Sequence, residues 1–383
     1  MVYLDNAATS YPKPDCVYEQ MNICMRTYCA NPGRGSHAMS VQSAMAVNNC
    51  REQLSKLLNL DNDLNICFTK NATEALNIAI IGSLSAGDHV ITTNMEHNSV
   101  LRPLHTLQKN GKINLSIVEG DSFGEIDPNS ILKKINKKTK MVVCTLSSNV
   151  NGIIMPIYQI GEICRKKGIL FLLDASQGLG SIPIDFSKMY VSMIAFPGHK
   201  GLLGPQGTGG LYVSPNIRLK PLMQGGTGSQ SESLLQPNIM PDLFESGTLN
   251  TPGIVGLGAA VGYLNETGID VVHSKKCDIT QRLYDGISQI KGIKLYSPAD
   301  MRKNSGIVAF NINNCDSSDI SYLLDNRYKI ACRSGLHCAP LAHAFFNTLK
   351  SGIVRFSTGL FNTYEEIDYT VESVAKIVNE TKM

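Results

Sequence analysis

Between residues 64 and 213, short β-rich runs alternate with helix-length patterns, and this alternation constrains the chain more than any other feature. The runs cover 64–69, 89–93, 113–118, 141–146, 169–173, 193–196 and 209–213. Strands spaced by helices predict an α/β fold with a mostly parallel sheet. The runs at 141–146 and 169–173 are apolar throughout, as expected of strands covered on both faces. Each is followed by polar residues, Ser147-Ser148-Asn149 and Asp174-Ala175-Ser176-Gln177. Ligands of open parallel sheets sit beyond the carboxyl ends of the strands, so these two ends are the first places to seek a site.

Residues 214–252 change character, with Pro215, Pro221, Gly225-Gly226, Pro237, Pro241 and Pro252 among Ser and Gln, and read as a long functional loop. Helical patterns follow at 253–266 and 271–290, then strand-like 306–312, helical 317–326, strand-like 329–332 and a last helix from about Thr363. The expected organisation is a large domain over 15–252 and a smaller α+β domain built from 1–14 and 253–383. At 383 residues, 43% hydrophobic and 17% charged, the chain is long and apolar enough for a sizeable core, which excludes a disordered protein. Lys plus Arg number 35 against 32 Asp plus Glu without long blocks of one sign, so no nucleic-acid or membrane-surface partner is expected. The 11 cysteines contain no Cys-x-x-Cys, giving no zinc ribbon or disulfide framework; no metal is expected, and a reducing cytoplasm is.

Lys200 stands just past an apolar run in the glycine-rich segment Phe196-Pro-Gly-His199-Lys200-Gly-Leu-Leu-Gly. It reads either as a solvated loop charge or as an amine that forms an imine with an aldehyde cofactor. Asp174, 26 residues earlier at the end of a buried run, needs a cationic partner or a helix to cap, and Gly178 and Pro183 argue against a long helix there. A pyridoxal phosphate site offers both jobs, imine for Lys200 and pyridinium for Asp174. Asn71-Ala72-Thr73-Glu74 opens a helical run and is either an ordinary cap or an anion site. His97, after the run at 89–93, caps a helix or lies against an aromatic cofactor. In Cys332-Arg333-Ser334-Gly335-Leu336-His337-Cys338, a thiol beside His and Arg reads as reactive, although most cysteines are inert packing. Arg355, a charge inside a strand-like run, wants a carboxylate, from the protein or from a substrate.

In their order, these motifs resemble the cysteine desulfurases of the class V aminotransferase-like enzymes, closer to the group II type that includes selenocysteine lyases. The resemblance runs through Tyr3-Leu-Asp5-Asn-Ala-Ala-Thr9, Asn31-Pro-Gly-Arg34-Gly-Ser-His37, Thr69-Lys-Asn-Ala-Thr73, Met95-Glu-His97-Asn, Ser148-Asn149, Asp174-Ala-Ser-Gln177, Gly198-His199-Lys200, Glu245-Ser-Gly247-Thr248, Arg333-Ser-Gly-Leu-His-Cys338 and Arg355. It implies a fold-type I homodimer binding pyridoxal 5'-phosphate, with Lys200 as the Schiff-base lysine, Asp174 on the pyridine nitrogen, His97 stacked on the ring and Gln177 near the ring oxygen. It further implies a phosphate held by Ala72, Thr73 and His199, with Thr248 reaching in from the other subunit. Asn149, Arg333 and Arg355 address the substrate carboxylate, and Cys338 accepts sulfur from L-cysteine before passing it to an acceptor protein.

One departure is Pro197, where the family often carries a hydroxyl that donates to the phosphate; proline offers neither hydroxyl nor N–H. A selenocysteine lyase, releasing selenide from L-selenocysteine, is the alternative. Another class V enzyme would share Lys200 and Asp174 without needing Cys338. A nicotinamide dehydrogenase lacks its fingerprint, because the glycines at 256, 258 and 262 have the wrong spacing and fall in a helical pattern.

Overall fold

All seven runs between 64 and 213 become strands of one sheet in the computed structural model, which describes residues 1–33, 35–313 and 315–380. Arg34 of the Asn31–His37 motif lies outside the described residues. The strands are β1 (Val2–Tyr3), β2 (Ile66–Thr69), β3 (Asp88–Thr93), β4 (Ile113–Val118), β5 (Thr139–Thr145), β6 (Leu170–Asp174), β7 (Met193–Pro197), β8 (Gly209–Val213), β9 (Ile293–Leu295), β10 (Ile307–Ile312), β11 (Ile330–Ala331) and β12 (Val354–Ser357). The large sheet has the order β2-β8-β7-β6-β5-β3-β4 and is parallel except for β8, which runs against both its neighbours.

Alternation explains why the central strands look apolar throughout. Val142, Cys144, Phe171, Leu173, Ile194 and Phe196 point into one core. Met141, Val143, Leu172, Met193 and Ala195 point into the other. Helices Ala72–Ser83 and Asn98–Lys109 cover the second face with Leu76, Ile80, Val100 and Leu104. Helices Ala38–Leu58 and Ile157–Lys167 cover the first with Val47, Leu54, Ile160 and Cys164.

A three-stranded antiparallel sheet, β12-β10-β9, lies beyond, packed with Leu283 and Ile287 of helix Ile269–Ser288 and Val374 and Ile377 of helix Tyr364–Glu380. The N-terminus joins this part of the fold: β1 pairs in parallel with β11, and Leu4 enters the same core. The helix Thr251–Thr267, expected with the C-terminal unit, instead packs Ile254, Leu257, Val261 and Leu264 into the core of the large sheet. Its glycines, which rule out a nucleotide fingerprint by position, permit close helix packing; a Cβ on Gly258 would meet Cys50 at 3.0 Å. No helix among the described residues is long and apolar enough to cross a membrane.

Candidate functional site

The carboxyl ends of β2, β3, β5, β6 and β7 converge on one cavity of about 470 Å³, counting its open mouth. It is lined by Thr73, His97, Asn149, Asp174, Gln177, His199 and Lys200, among others. Parallel strands with short returns bring these residues together although they span 128 positions of sequence, from 73 to 200.

Lys200 is placed by a tight turn. Gly198 N–H donates to Thr208 C=O and Gly204 N–H to Gly198 C=O, both at 2.8 Å, while Leu203 N–H bonds Lys200 C=O at 2.9 Å. Only glycine fits at 198, because a Cβ there would stand 2.1 Å from Thr208 Oγ1. Burial pushes the Lys200 ammonium down to about 8, with Asp174 opposing and Arg355 and Arg333 assisting. Asp174 closes β6 at 2% exposure. It caps no helix: turns follow, with Gly178 at φ +104° and Gly180 at φ +83°, and its Oδ1 accepts Ser176 N–H at 2.9 Å. An acid so placed, with a single backbone donor, is suited to a cation brought in by a ligand.

His97 is both cap and wall. Its Nδ1 accepts Ser99 N–H at 3.0 Å at the start of helix Asn98–Lys109, which requires that nitrogen to be unprotonated and leaves the proton on Nε2. Burial holds its pKa down at about 4, so the ring is neutral. Ser99 Oγ lies 2.9 Å from the same nitrogen and 2.8 Å from Thr73 Oγ1. Asn71, rather than Thr73, caps helix Ala72–Ser83 by accepting Glu74 N–H at 2.9 Å, which frees the Thr73 hydroxyl to face the cavity. His199 Nδ1 is buried with no partner, and burial lowers the ring's pKa to about 4. The N-terminus of helix Ala72–Ser83 and the hydroxyls of Thr73 and Ser99 supply donors for an anion beside Lys200, next to the unpartnered His199 Nδ1.

The Cys338 segment is tied beside this cavity by its backbone, and Cys338 lines an adjoining cleft that shares Thr73, His97 and Ser99 with it. Asn98 N–H donates to Cys338 C=O at 2.7 Å and Asn149 Nδ2–H to His337 C=O at 2.6 Å. His337 and Cys338 both adopt left-handed backbone, φ +48° and +56°, which turns an exposed thiol out of the loop. His337 stacks on His343, their rings 5.5 Å apart, and His343 Nδ1 reaches Thr348 Oγ1 at 2.8 Å. Cys332, by contrast, is half-buried, and its thiol is pushed up to about 12 by desolvation.

Five expected residues differ in their engagement. Arg355 finds a protein carboxylate: Nη2 donates to Asp5 Oδ1 at 3.0 Å and Nη1 to Asn149 C=O at 2.8 Å, leaving only Nε unpartnered. Asn149 uses its side chain on the Cys338 loop, and Gln177 Nε2–H donates to Ala7 C=O at 2.8 Å. Thr248 lies apart, lining a separate cavity with Asn31, Gly226, Glu245 and Gly247. Arg333 is exposed and makes no ion pair among the described residues.

The aminotransferase class-V family model matches residues 2–370. The chain belongs to the aminotransferase class-V family. Within this family, it is 37% identical to the probable cysteine desulfurase of Methanothermobacter thermautotrophicus, over 98% of this chain and 94% of that one. It is 34% identical to the probable cysteine desulfurase of Pyrococcus abyssi, over 100% and 95%. The solved cysteine desulfurase of Thermococcus onnurineus superimposes with a TM-score of 0.93 at 30% identity, covering 99% of this chain and 95% of that one.

Reading the class-V motifs in sequence misses three site residues. Asp5 sits in the first motif, and its signal is an acid beside an apolar strand, a natural partner for Arg355. Ser99 shows as a hydroxyl two residues after His97. Glu96 is buried beneath the site with Oε1 accepting Thr93 Oγ1–H at 2.7 Å and Thr145 N–H at 3.0 Å, and burial pushes its carboxyl up to about 8. Nothing in the sequence distinguishes Glu96 from a surface acid.

Proposed function

We propose that this chain is a pyridoxal 5'-phosphate-dependent cysteine desulfurase that converts L-cysteine to L-alanine and leaves a persulfide on Cys338. The observation that carries this reading is an exposed thiol on a left-handed turn, tied by its own carbonyl to the helix whose cap, His97, walls the cavity of Lys200 and Asp174. A class V enzyme without sulfur chemistry needs no thiol there, and the relatives reported above carry the desulfurase name.

The cofactor, when bound, supplies an electron sink for a substrate carbanion. In this reading, Lys200 holds it through the ε-amine and moves the substrate's α-proton, a task suited to an amine brought close to neutrality. Asp174 takes the pyridine N–H, His97 faces the ring and Gln177 lies by the ring oxygen. Ala72, Thr73 and His199 hold the phosphate, with Thr248 supplied by a second copy in a homodimer. The Ser99 hydroxyl, which lines the same cavity, would supply a donor that Pro197 lacks. Arg333, the guanidinium left free, takes the substrate carboxylate, with Asn149 and Arg355 behind it. The Cys338 thiolate attacks the substrate sulfur: a new S–S bond forms, the C–S bond breaks, and its electron pair remains on the carbon that is protonated to alanine. An acceptor protein then drains the persulfide. The two-domain division is retained in this reading, with its boundary moved from 252 to about residue 268, after the helix that packs on the large sheet.

The test is alanine and sulfide release from L-cysteine, and alanine and selenide release from L-selenocysteine, by cofactor-loaded protein and Cys338→Ala with a reductant present. Turnover of cysteine lost in Cys338→Ala is the expected result. Cleavage of selenocysteine alone, surviving in Cys338→Ala, overturns the desulfurase reading in favour of a lyase.

A further inference from the structure

A second cavity lies on the other side of Lys200, bounded by the N-terminal segment at Asn6 to Pro12, the turn at Gln177 to Ser181, helix Ile269–Ser288 and the turn at Ser357 to Phe361. Counting its open mouth, as for the first cavity, it is about 550 Å³, of which the room left for water-sized groups is about 40 Å³, enough for roughly three of them. Its lining carries two ammonium groups, Lys200 and Lys276, and no Asp or Glu.

Lys276 is the unusual element. Its Nζ donates to Ser305 C=O at 2.9 Å, and it makes no ion pair among the described residues. An ammonium has three protons to place, and burying one against a single carbonyl is costly unless something negative or strongly polar joins it. Burial accordingly pushes Lys276 down to about 8. The backbone is hollowed to admit it. Gly306 takes φ +96°, and a Cβ there would stand 2.8 Å from Lys276 Cε and 3.1 Å from Thr358 Oγ1.

We propose that this cavity is a binding site for a small monovalent anion, of the size of chloride or formate, held by the Lys276 ammonium. The size follows from the space, and the charge from a lining that keeps the Lys276 cation when the cofactor engages Lys200 and that carries no carboxylate. The inference does not rest on the desulfurase reading, since Lys276 faces away from the cavity that holds Asp174, His97 and Thr73. The titratable groups beside it are Cys277, whose thiol burial keeps protonated and which donates to Met301 C=O at 3.3 Å, and His273, whose Nδ1 lies 3.1 Å from the carbonyl of the cavity-lining Ser181.

The experiment is thermal unfolding of the cofactor-loaded protein at constant ionic strength, with chloride or formate replacing gluconate, which is too large to enter. At pH 6.5, the wild type is expected to gain stability that saturates with chloride, and to lose the saturable part at pH 9.5, where Lys276 is neutral. Lys276→Met is expected to abolish the saturable part and Lys276→Arg to retain it. A response that rises with salt without saturating, or an equal saturable response at pH 6.5 and 9.5, overturns the proposal. So does an equal response in Lys276→Met. The two wild-type titrations decide the matter even if Lys276→Met does not fold. A protein that shows no cofactor absorbance while still saturating with chloride counts against the cofactor reading and leaves the anion site standing.

Discussion

Imine formation requires a neutral amine, so the pH at which Lys200 becomes reactive is set by how strongly its surroundings disfavour charge. Burial brings Lys200 from 10.5 to about 8. At pH 7.5, an amine at about 8 is roughly one-quarter neutral, whereas one at 10.5 is about one part in a thousand neutral, a difference of about 200-fold. The rate at which cofactor-free protein develops imine absorbance on adding pyridoxal phosphate is therefore expected to rise with pH and level off just above 8. Asp174 raises the Lys200 pKa in the structure, so Asp174→Asn moves the midpoint down and increases the neutral fraction at pH 7, even as it removes a partner for the bound ring. Stopped-flow absorbance between pH 6 and 10, with Lys200→Arg as the blank, measures both midpoints. A wild-type midpoint above 9.5, or one that climbs in Asp174→Asn, would refute the reasoning.

Three other outcomes are expected. Glu245 accepts Arg51 Nη1–H at 2.8 Å and Phe68 N–H at 2.7 Å in a fully buried pair, so Glu245→Gln should cost about 3–5 kcal/mol in urea unfolding; a cost under ~1 kcal/mol would show the charge is matched elsewhere. Gly198→Ala drives a methyl into Thr208 and should displace the Lys200 turn, costing about 1–3 kcal/mol and at least roughly tenfold in kcat; a crystal structure with an unmoved turn would contradict this. Asp5→Asn frees the Arg355 guanidinium, so KM for L-cysteine should fall while stability drops; an unchanged KM would mean that Asp5 does not compete with the substrate carboxylate.

How far the site is legible in sequence depends on whether a residue's role is local. His97 capping is local, since a ring nitrogen meets an amide two residues on, and the structure shows that cap with the ring lining the cavity of Lys200. Arg355 is the opposite case. Its partner Asp5 is 350 residues away and becomes a neighbour only because the N-terminal strand crosses to pair with β11. Gln177 and Asn149 likewise spend their amides on backbone carbonyls that no spacing rule brings near. The short strand β9, three residues with no fully buried position, gives no periodic signal of its own.

The sequence by itself determined the parallel sheet, because two-sided burial writes consecutive apolar residues into β5 and β6, and it placed Lys200, Asp174 and Asn149 at the strand ends because polar residues must stop such runs. It also ordered the motifs that mark the family. Tertiary structure alone decided that Lys200 lines one cavity with Asp174 and another with Lys276, that helix Thr251–Thr267 belongs to the large core, and that the Cys338 turn is held by Asn98 and Asn149 in a cleft adjoining the site. Those outcomes rest on hydrogen bonds and packing between segments far apart in the chain, whose energies exist only once the folded backbone has brought them within reach.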